Sequence, residues 1–341
     1  MSEFSPVLDG QRPVFIVGHP RSGTTLAQQL LSAHPDIWSG PETHLYTHVL
    51  EGVPQWDTRS ISRADLPQIV RRLAGKPGIE LSAAARGTLD SLADRGELGA
   101  ARLLDVVMSD LKPADSTASR WLEKTPRHVY HIDAILRLFP DARIIHVLRD
   151  PRDVASSPVR FRELEPGLER SVLVLERGHR WNDVVALTDA LVSESRMITV
   201  RYEDLIGDTE RVLEAIMQHA GLLTDLTVLD RFSDTYAQVT IERESVRKQL
   251  NSAGKIVDRR GIYRQRMAAE EIVIIDTVCR NAMQAKGYTP DNAPDDALVS
   301  RIQRERAARR SKPVAPSVME RVKRSGKRVL QALGLRPAKR R

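Results

Sequence analysis

Between Gly18 and Thr25 the chain reads GHPRSGTT, two glycines five positions apart followed by two threonines. The apolar run Val14 to Val17 predicts a short strand before it. Leu26, Leu30 and Leu31 share one face of a helix predicted to start near Thr24. Strand, glycine-bounded turn and helix in that order form a phosphate loop, usually G-x-x-x-x-G-K-[ST], whose lysine reaches the β- and γ-phosphates of a nucleotide. Thr24 stands where that lysine belongs. The backbone N–H groups of Ser22, Gly23, Thr24 and Thr25 still converge on a helix N-terminus, where the macrodipole supplies roughly half a positive charge. Arg21 adds a full charge, so the turn suits a phosphate dianion.

A second group lies in IIHVLRDPRDVASS. Arg149 follows a predicted strand, at the edge of an open sheet where ligands collect, and Ser156 and Ser157 come about two helical turns later. A guanidinium fork with a nearby hydroxyl is a phosphate clamp. The competing reading is a strand-end arginine paired with Asp150 or Asp153. His128 and His131 are the nearest approach to a metal-ligand pair, but their apolar neighbours favour packing or surface histidines.

These groups need a scaffold. Ile37 to Ser39, Arg120 to Glu123, Arg143 to Leu148 and Met197 to Val200 read as further strands, with helical patterns between several of them. Strands alternating with helices predict an α/β fold, a parallel sheet flanked by helices on both faces. Residues 56–118 show amphipathic helical stretches and no convincing strand, so they read as a helical insertion near the ligand end of the sheet. Val129, Ile132, Ile135, Leu136 and Phe139 predict a helix stopped by Pro140. A last helix is expected from about Ala268 to Lys286, and TPDNAPDD after Tyr288 reads as a linker. The α/β domain is expected over residues 1–290, with residues 291–341 as a basic tail.

At 341 residues and 41% hydrophobic content the chain can bury a large core. No apolar run approaches the roughly 20 residues of a membrane span. The start MSEFSPVLDG lacks the cationic and apolar regions of a secretory signal, so a cytoplasmic location is expected. Cys279 is the single cysteine and sits in an apolar helical pattern, as a buried thiol would. The net charge of +7 is unevenly placed: residues 301–341 hold fifteen Lys and Arg against two acids, leaving 37 basic and 43 acidic residues before them. The basic balance belongs to the tail, and nucleic acid is not an expected partner.

PRSGTT after the first strand, EKTP at 123–126, RDPRDVASS and VRYEDL occur in an order and spacing that resemble sulfotransferases using 3′-phosphoadenosine 5′-phosphosulfate (PAPS). The likeness runs from about residue 13 to 290. SAHPDIWSGPETHLY narrows it to the protein-tyrosine sulfotransferase type and its bacterial relatives. The resemblance implies a P-loop-containing fold whose first loop, Arg21 to Thr25, holds the 5′-phosphosulfate, while Arg149 and Ser157 hold the 3′-phosphate. PAPS carries no β/γ chain, which accounts for the missing lysine. By the same resemblance Glu42 is the general base, Lys124 and Arg21 contact the leaving phosphate, and no metal is required. An ordinary pairing of Lys124 with Glu123 is the alternative. RRGIYRQRM resembles the segment that closes over the nucleotide, with Arg259, Arg260 and Arg264 as 3′-phosphate candidates and Tyr263 packing nearby.

Pro41 and His44 depart from the tyrosylprotein pattern, which carries a second acid and an arginine around its base. A glycan, glycolipid or small natural product is therefore an expected hydroxyl acceptor, with peptidyl tyrosine as the alternative. Two rivals come from other classes: a P-loop kinase or ATPase, and a non-catalytic protein that binds anionic surfaces. In residues 317–335, Val318, Val322, Val329, Leu330 and Leu333 form an apolar stripe beside Arg321, Lys323, Arg324, Lys327 and Arg328. Such a basic amphipathic helix reads as a peripheral anchor on an anionic membrane, against a solvated tail weakened by Gly326. A homodimer is the remaining partner expected.

Overall fold

The computed structural model describes residues 12–157, 170–191, 194–232 and 256–310. The basic stripe at 317–335 lies outside them. Five strands, β1 (Val14–Gly18), β2 (Ile37–Ser39), β3 (Arg120–Lys124), β4 (Arg143–Leu148) and β5 (Met197–Arg201), form one sheet in the order β2-β3-β1-β4-β5. Every pairing is parallel. Ile16 lies opposite Lys124, and Gly18 opposite Val147. The carboxyl ends of β3, β1 and β4 therefore sit side by side, at the edge where open α/β sheets bind ligands.

Alternation along the strands builds two cores. Phe15, Val17 and Ile144 pack with α5 (Ile132–Leu138), α4 (Ala100–Leu111) and the rest of the insertion, while Val14, Ile16, Ile145 and Val147 pack with α1 (Thr24–Ser32) and α8 (Thr209–Ala220). The sheet is covered on both faces, as strands apolar on both sides require. Phe15 meets Trp121 edge to face at 5.5 Å. Such a pair adds about 0.5–1.5 kcal/mol beyond the area it buries. The insertion contains α2 (Leu66–Ala74), α3 (Ala83–Asp94) and α4. Ser82 caps α3 by accepting from the Ala85 amide at 3.1 Å. Trp121 Nε1 donates to Asp105 Oδ1 at 3.2 Å, which ties α4 to β3.

Three elements differ from expectation. The helix predicted through Val129 opens as a 3₁₀ turn, Pro126–His131, because the His128 ring is drawn to Glu123. The helix predicted over 268–286 is two segments, Ala269–Val278 and Arg280–Ala285, interrupted where buried Cys279 packs against Gly178 of α7 (Arg170–Ala190). TPDNAPDD is not a free linker at its start. Asp276 Oδ2 accepts from the amides of Asp291 and Asn292 at 3.0 and 2.9 Å and from Asn292 Nδ2 at 2.8 Å. The chain divides into compact units at residues 294 and 295, and the second contains the helix Asp296–Arg310. Among the described residues no helix is long and apolar enough to cross a membrane.

Candidate active site

The β1–α1 turn is built around two backbone requirements. Gly18 and Gly23 have φ of +152° and +98°, and a Cβ on Gly23 would lie 2.4 Å from Cδ2 of Tyr202. Only glycine fits there. Arg21 also adopts positive φ, +79°, with its side chain exposed at the turn. Strain of this kind in a non-glycine residue is held by its surroundings and concentrates at functional sites. Ser22 and Thr24 are buried, and Ser22 Oγ has no hydrogen-bond partner among the described residues. A buried hydroxyl without a partner fits a site that completes its bonding with a ligand oxygen.

Beside this turn, β3 ends in Lys124, only 4% exposed. Its Nζ donates to Thr25 Oγ1 at 3.4 Å and ion-pairs with Glu42 Oε1. Lys124 therefore joins the phosphate-type turn to the expected base. The alternative pairing with Glu123 is not formed. The two residues project on opposite sides of the strand, and Glu123 enters a network of its own. Its Oε1 accepts from the Thr43 amide (3.2 Å), Thr43 Oγ1 (2.9 Å) and Thr125 Oγ1 (2.6 Å), and its Oε2 takes His128 Nδ1 at 2.9 Å. The Tyr46 amide donates to His128 Nε2 at 3.3 Å, so Nδ1 carries the ring proton. Burial raises the Glu123 pKa, but His128 and the hydroxyls outweigh it and hold the carboxyl below its usual range.

That network positions Glu42. Residues 40–44 cross the end of β3, where Glu123 grips Thr43 and Thr125 Oγ1 accepts from the His44 amide at 3.2 Å. Gln28 Nε2 secures the loop's start by donating to Ser39 Oγ at 2.7 Å and Gly40 O at 3.1 Å. Glu42 Oε2 lies 3.2 Å from His44 Nε2, with Lys124 on the other oxygen. Burial pushes the Glu42 pKa up, but the His44 hydrogen bond and the Lys124 charge bring it down to about 2. His44 has φ of +50° and precedes a π-helical turn, Leu45–Val49. Such turns recur at functional sites.

β4 delivers Arg149, 7% exposed. Its Nη1 reaches the Arg21 carbonyl at 3.5 Å, its Nη2 bonds Asp153 Oδ2 at 3.2 Å and the Arg259 carbonyl at 2.6 Å, and its guanidinium lies 4.1 Å over the Tyr202 ring. Arg149 Nε is buried and has no partner among the described residues. Arg149 is thus paired with Asp153, as the competing sequence reading has it, and it also adjoins the β1–α1 turn. Asp150 instead caps α6 (Pro151–Ala155) and chelates Arg152. Ser157 is buried, its carbonyl accepting from Arg177 Nη1 at 2.7 Å.

The late segment is placed unevenly. The Arg259 carbonyl touches Arg149, whereas Arg260 ion-pairs with Asp258. Tyr263 is buried, its hydroxyl donating to Asp291 Oδ2 at 2.6 Å, and Arg264 ion-pairs with the same carboxylate at 3.3 Å. Both side chains are thus engaged with Asp291. The sequence analysis gives Glu123 and Asp153 only as rival partners of Lys124 and Arg149, His128 only as a packing or surface residue and Tyr202 only as part of VRYEDL, and assigns none of them to the site. An acid directly after Trp121 and Leu122 in a predicted strand was the signal available for Glu123. Among the described residues no three His, Cys, Asp or Glu side chains cluster as a metal site would need.

A parallel α/β sheet with a glycine-shaped turn and basic groups at three adjacent strand ends defines a nucleotide- or phosphate-binding class of protein. The Sulfotransferase family model matches residues 13–225, and the chain belongs to that family. Protein-tyrosine sulfotransferase 2 of Gallus gallus is 28% identical over 224 residues, 63% of this chain and 53% of that protein. The chain thus spans about half the length of that relative. Omega-hydroxy-beta-dihydromenaquinone-9 sulfotransferase Stf3 of Mycobacterium tuberculosis (strain CDC 1551 / Oshkosh) is 28% identical over 308 residues, 74% of this chain and 76% of that protein. Among solved structures, the sulfotransferase domain of the Synechococcus PCC 7002 olefin synthase aligns with a TM-score of 0.47 at 20% identity, covering 87% of this chain and 96% of that one.

Proposed function

We propose that this protein transfers the sulfuryl group of PAPS to the hydroxyl of a glycan, lipid or small-molecule acceptor. The carrying observation is Lys124, which touches Thr25 of the β1–α1 turn and Glu42 at once. In the reaction the acceptor oxygen bonds to sulfur, the bond from sulfur to the bridging phosphate oxygen breaks, and the acceptor proton passes to Glu42. 3′-Phosphoadenosine 5′-phosphate (3′,5′-ADP) leaves.

Ser22, Gly23, Thr24 and Thr25 hold the 5′-phosphosulfate, and Ser22 Oγ, a buried donor with no partner among the described residues, completes the fit. Lys124 and Arg21 stabilise charge on the leaving phosphate, as positioned donors do in group transfer of this kind. Arg149 and Ser157 hold the 3′-phosphate. With Lys124 engaged at the leaving oxygen, Glu42 loses one of the two partners that depress its pKa and keeps the His44 hydrogen bond. Its proton affinity then rises when a base is needed.

The acceptor reading draws on the longer alignment, to a relative named for an ω-hydroxylated menaquinone. The rival, a peptidyl tyrosine, draws on the shorter one. A lipid-borne acceptor would suit a basic tail at 317–335 against an anionic membrane, which flotation of full-length and 1–310 proteins with anionic liposomes tests.

Calorimetry with 3′,5′-ADP in the absence of magnesium tests the donor, and binding is the expected result. Binding of ATP only with magnesium would overturn it in favour of a kinase. Screening acceptor pools with labelled PAPS then assigns the hydroxyl.

A further inference from the structure

Asp153 lies one turn beyond Arg149, and its side chain is 1% exposed. Its two oxygens gather groups from segments more than a hundred residues apart. Oδ2 accepts from Arg149 Nη2 at 3.2 Å and from the Gly261 amide at 2.9 Å, while Oδ1 accepts from the Tyr263 amide at 3.0 Å. Arg149 Nη2 also donates to the Arg259 carbonyl at 2.6 Å. One carboxylate and one guanidinium thus lash three backbone groups of the Arg259–Tyr263 turn to the end of β4. Gly261 makes the turn with φ of +69°.

We propose that Asp153 is a positioning residue for the 3′-phosphate end of the donor site. It sets the Arg149 fork and the Arg259–Tyr263 turn at one fixed separation without touching the donor. The proposal rests on the reading of Arg149 as the 3′-phosphate clamp. A carboxylate beside an anion site would ordinarily repel the ligand. Here its charge is spent on one guanidinium and two amides, and it is shielded from solvent. Arg149 is fixed by Asp153, the Arg259 carbonyl and the Tyr202 face, and its buried Nε has no partner among the described residues. Preorganised donors of this kind give selectivity because the site meets no cost of rearrangement on binding.

The test compares 3′,5′-ADP with 5′-AMP, which differ by the 3′-phosphate alone, by calorimetry on the full chain. Asp153→Asn puts an amide N–H₂ against at least one of the three donors. It is expected to weaken 3′,5′-ADP at least tenfold and to change 5′-AMP less than twofold. Asp153→Glu, which keeps the charge but displaces the carboxylate, shifts the ratio in the same direction. Equal weakening of both nucleotides, or an unchanged ratio, overturns the proposal. If the wild-type protein does not prefer 3′,5′-ADP, it is the clamp reading of Arg149 that falls. Should neither variant fold, hydrogen exchange on the wild type decides. The Gly261 and Tyr263 amides are expected to slow with 3′,5′-ADP and not with 5′-AMP, and equal protection by both overturns the proposal.

Discussion

Lys124 meets Glu42 across the end of the sheet, joining the last residue of β3 to the loop that follows β2. The pair adjoins Thr25, so a cation needed by an anionic donor is held, before the donor arrives, by the acid expected to take the acceptor proton. Glu42→Gln keeps the shape of the side chain and removes the proton acceptor. We predict that turnover falls by about 10²–10⁴, the usual worth of a general base, while 3′,5′-ADP affinity stays within about threefold. Near-normal turnover in a 3′,5′-ADP-release assay would remove Glu42 from the role.

Lys124→Met should act on the other side of the reaction. Loss of a preorganised donor to developing charge costs about 2.7–4 kcal/mol, or about 10²–10³ in turnover. Single-turnover rates at saturating PAPS check this. A variant that changes only the apparent donor affinity would show that Lys124 binds the ground state and transition state alike.

Gly23→Ala tests the shape of the β1–α1 turn. The added methyl collides with the Tyr202 ring, which also carries the Arg149 guanidinium. The turn must then open, and 3′,5′-ADP binding is expected to fall by about 10²-fold or more, consistent with lost geometry in an anion site. Circular dichroism should be unchanged. Retained binding would mean that the turn does not hold the nucleotide.

Acid should destabilise the protein through histidine before it reaches the carboxylates. Burial lowers the pKa of both His19 and His146 to about 4, in His146 with help from the nearby Lys286 charge. Unfolded histidine takes up its proton near 6.5. The unfolded chain therefore binds more protons between pH 6.5 and about 4, and stability present above 6.5 is lost as the pH falls through that window. His146→Leu removes one such group. Urea midpoints at pH 7.5 and 5 should show a shallower loss, by up to about 1.4 kcal/mol per pH unit. An unchanged slope would contradict the prediction.

The parts legible in the sequence were local. Five apolar runs bounded by glycine, proline or charge became five strands, and the turn at Gly18–Thr25 was visible because glycine spacing is a backbone property. Strand order was not visible, since pairing β1 between β3 and β4 joins residues more than a hundred positions apart. The partner of Lys124 could not be chosen between Glu123 and Glu42 by spacing alone. The pleat decides it, by turning adjacent side chains to opposite faces. His128 read as a packing residue because its carboxylate partner comes from the preceding strand and its backbone donor from residue 46. TPDNAPDD read as linker because its composition is that of a loop. Its attachment depends on Asp276, an acid directly after the apolar run Ile272–Ile275.

That attachment bears on where this polypeptide can be cut. Asp276 is fully buried, and Asp291 and Asn292 supply three of the hydrogen bonds to its carboxylate, with Arg152 3.5 Å away. A fragment ending at Tyr288 would strand that carboxylate and strip Asp291 from Arg152 and Tyr263 together. The shortest fragment that keeps this carboxylate satisfied therefore extends past Asn292, and shorter expression boundaries are expected to give insoluble protein.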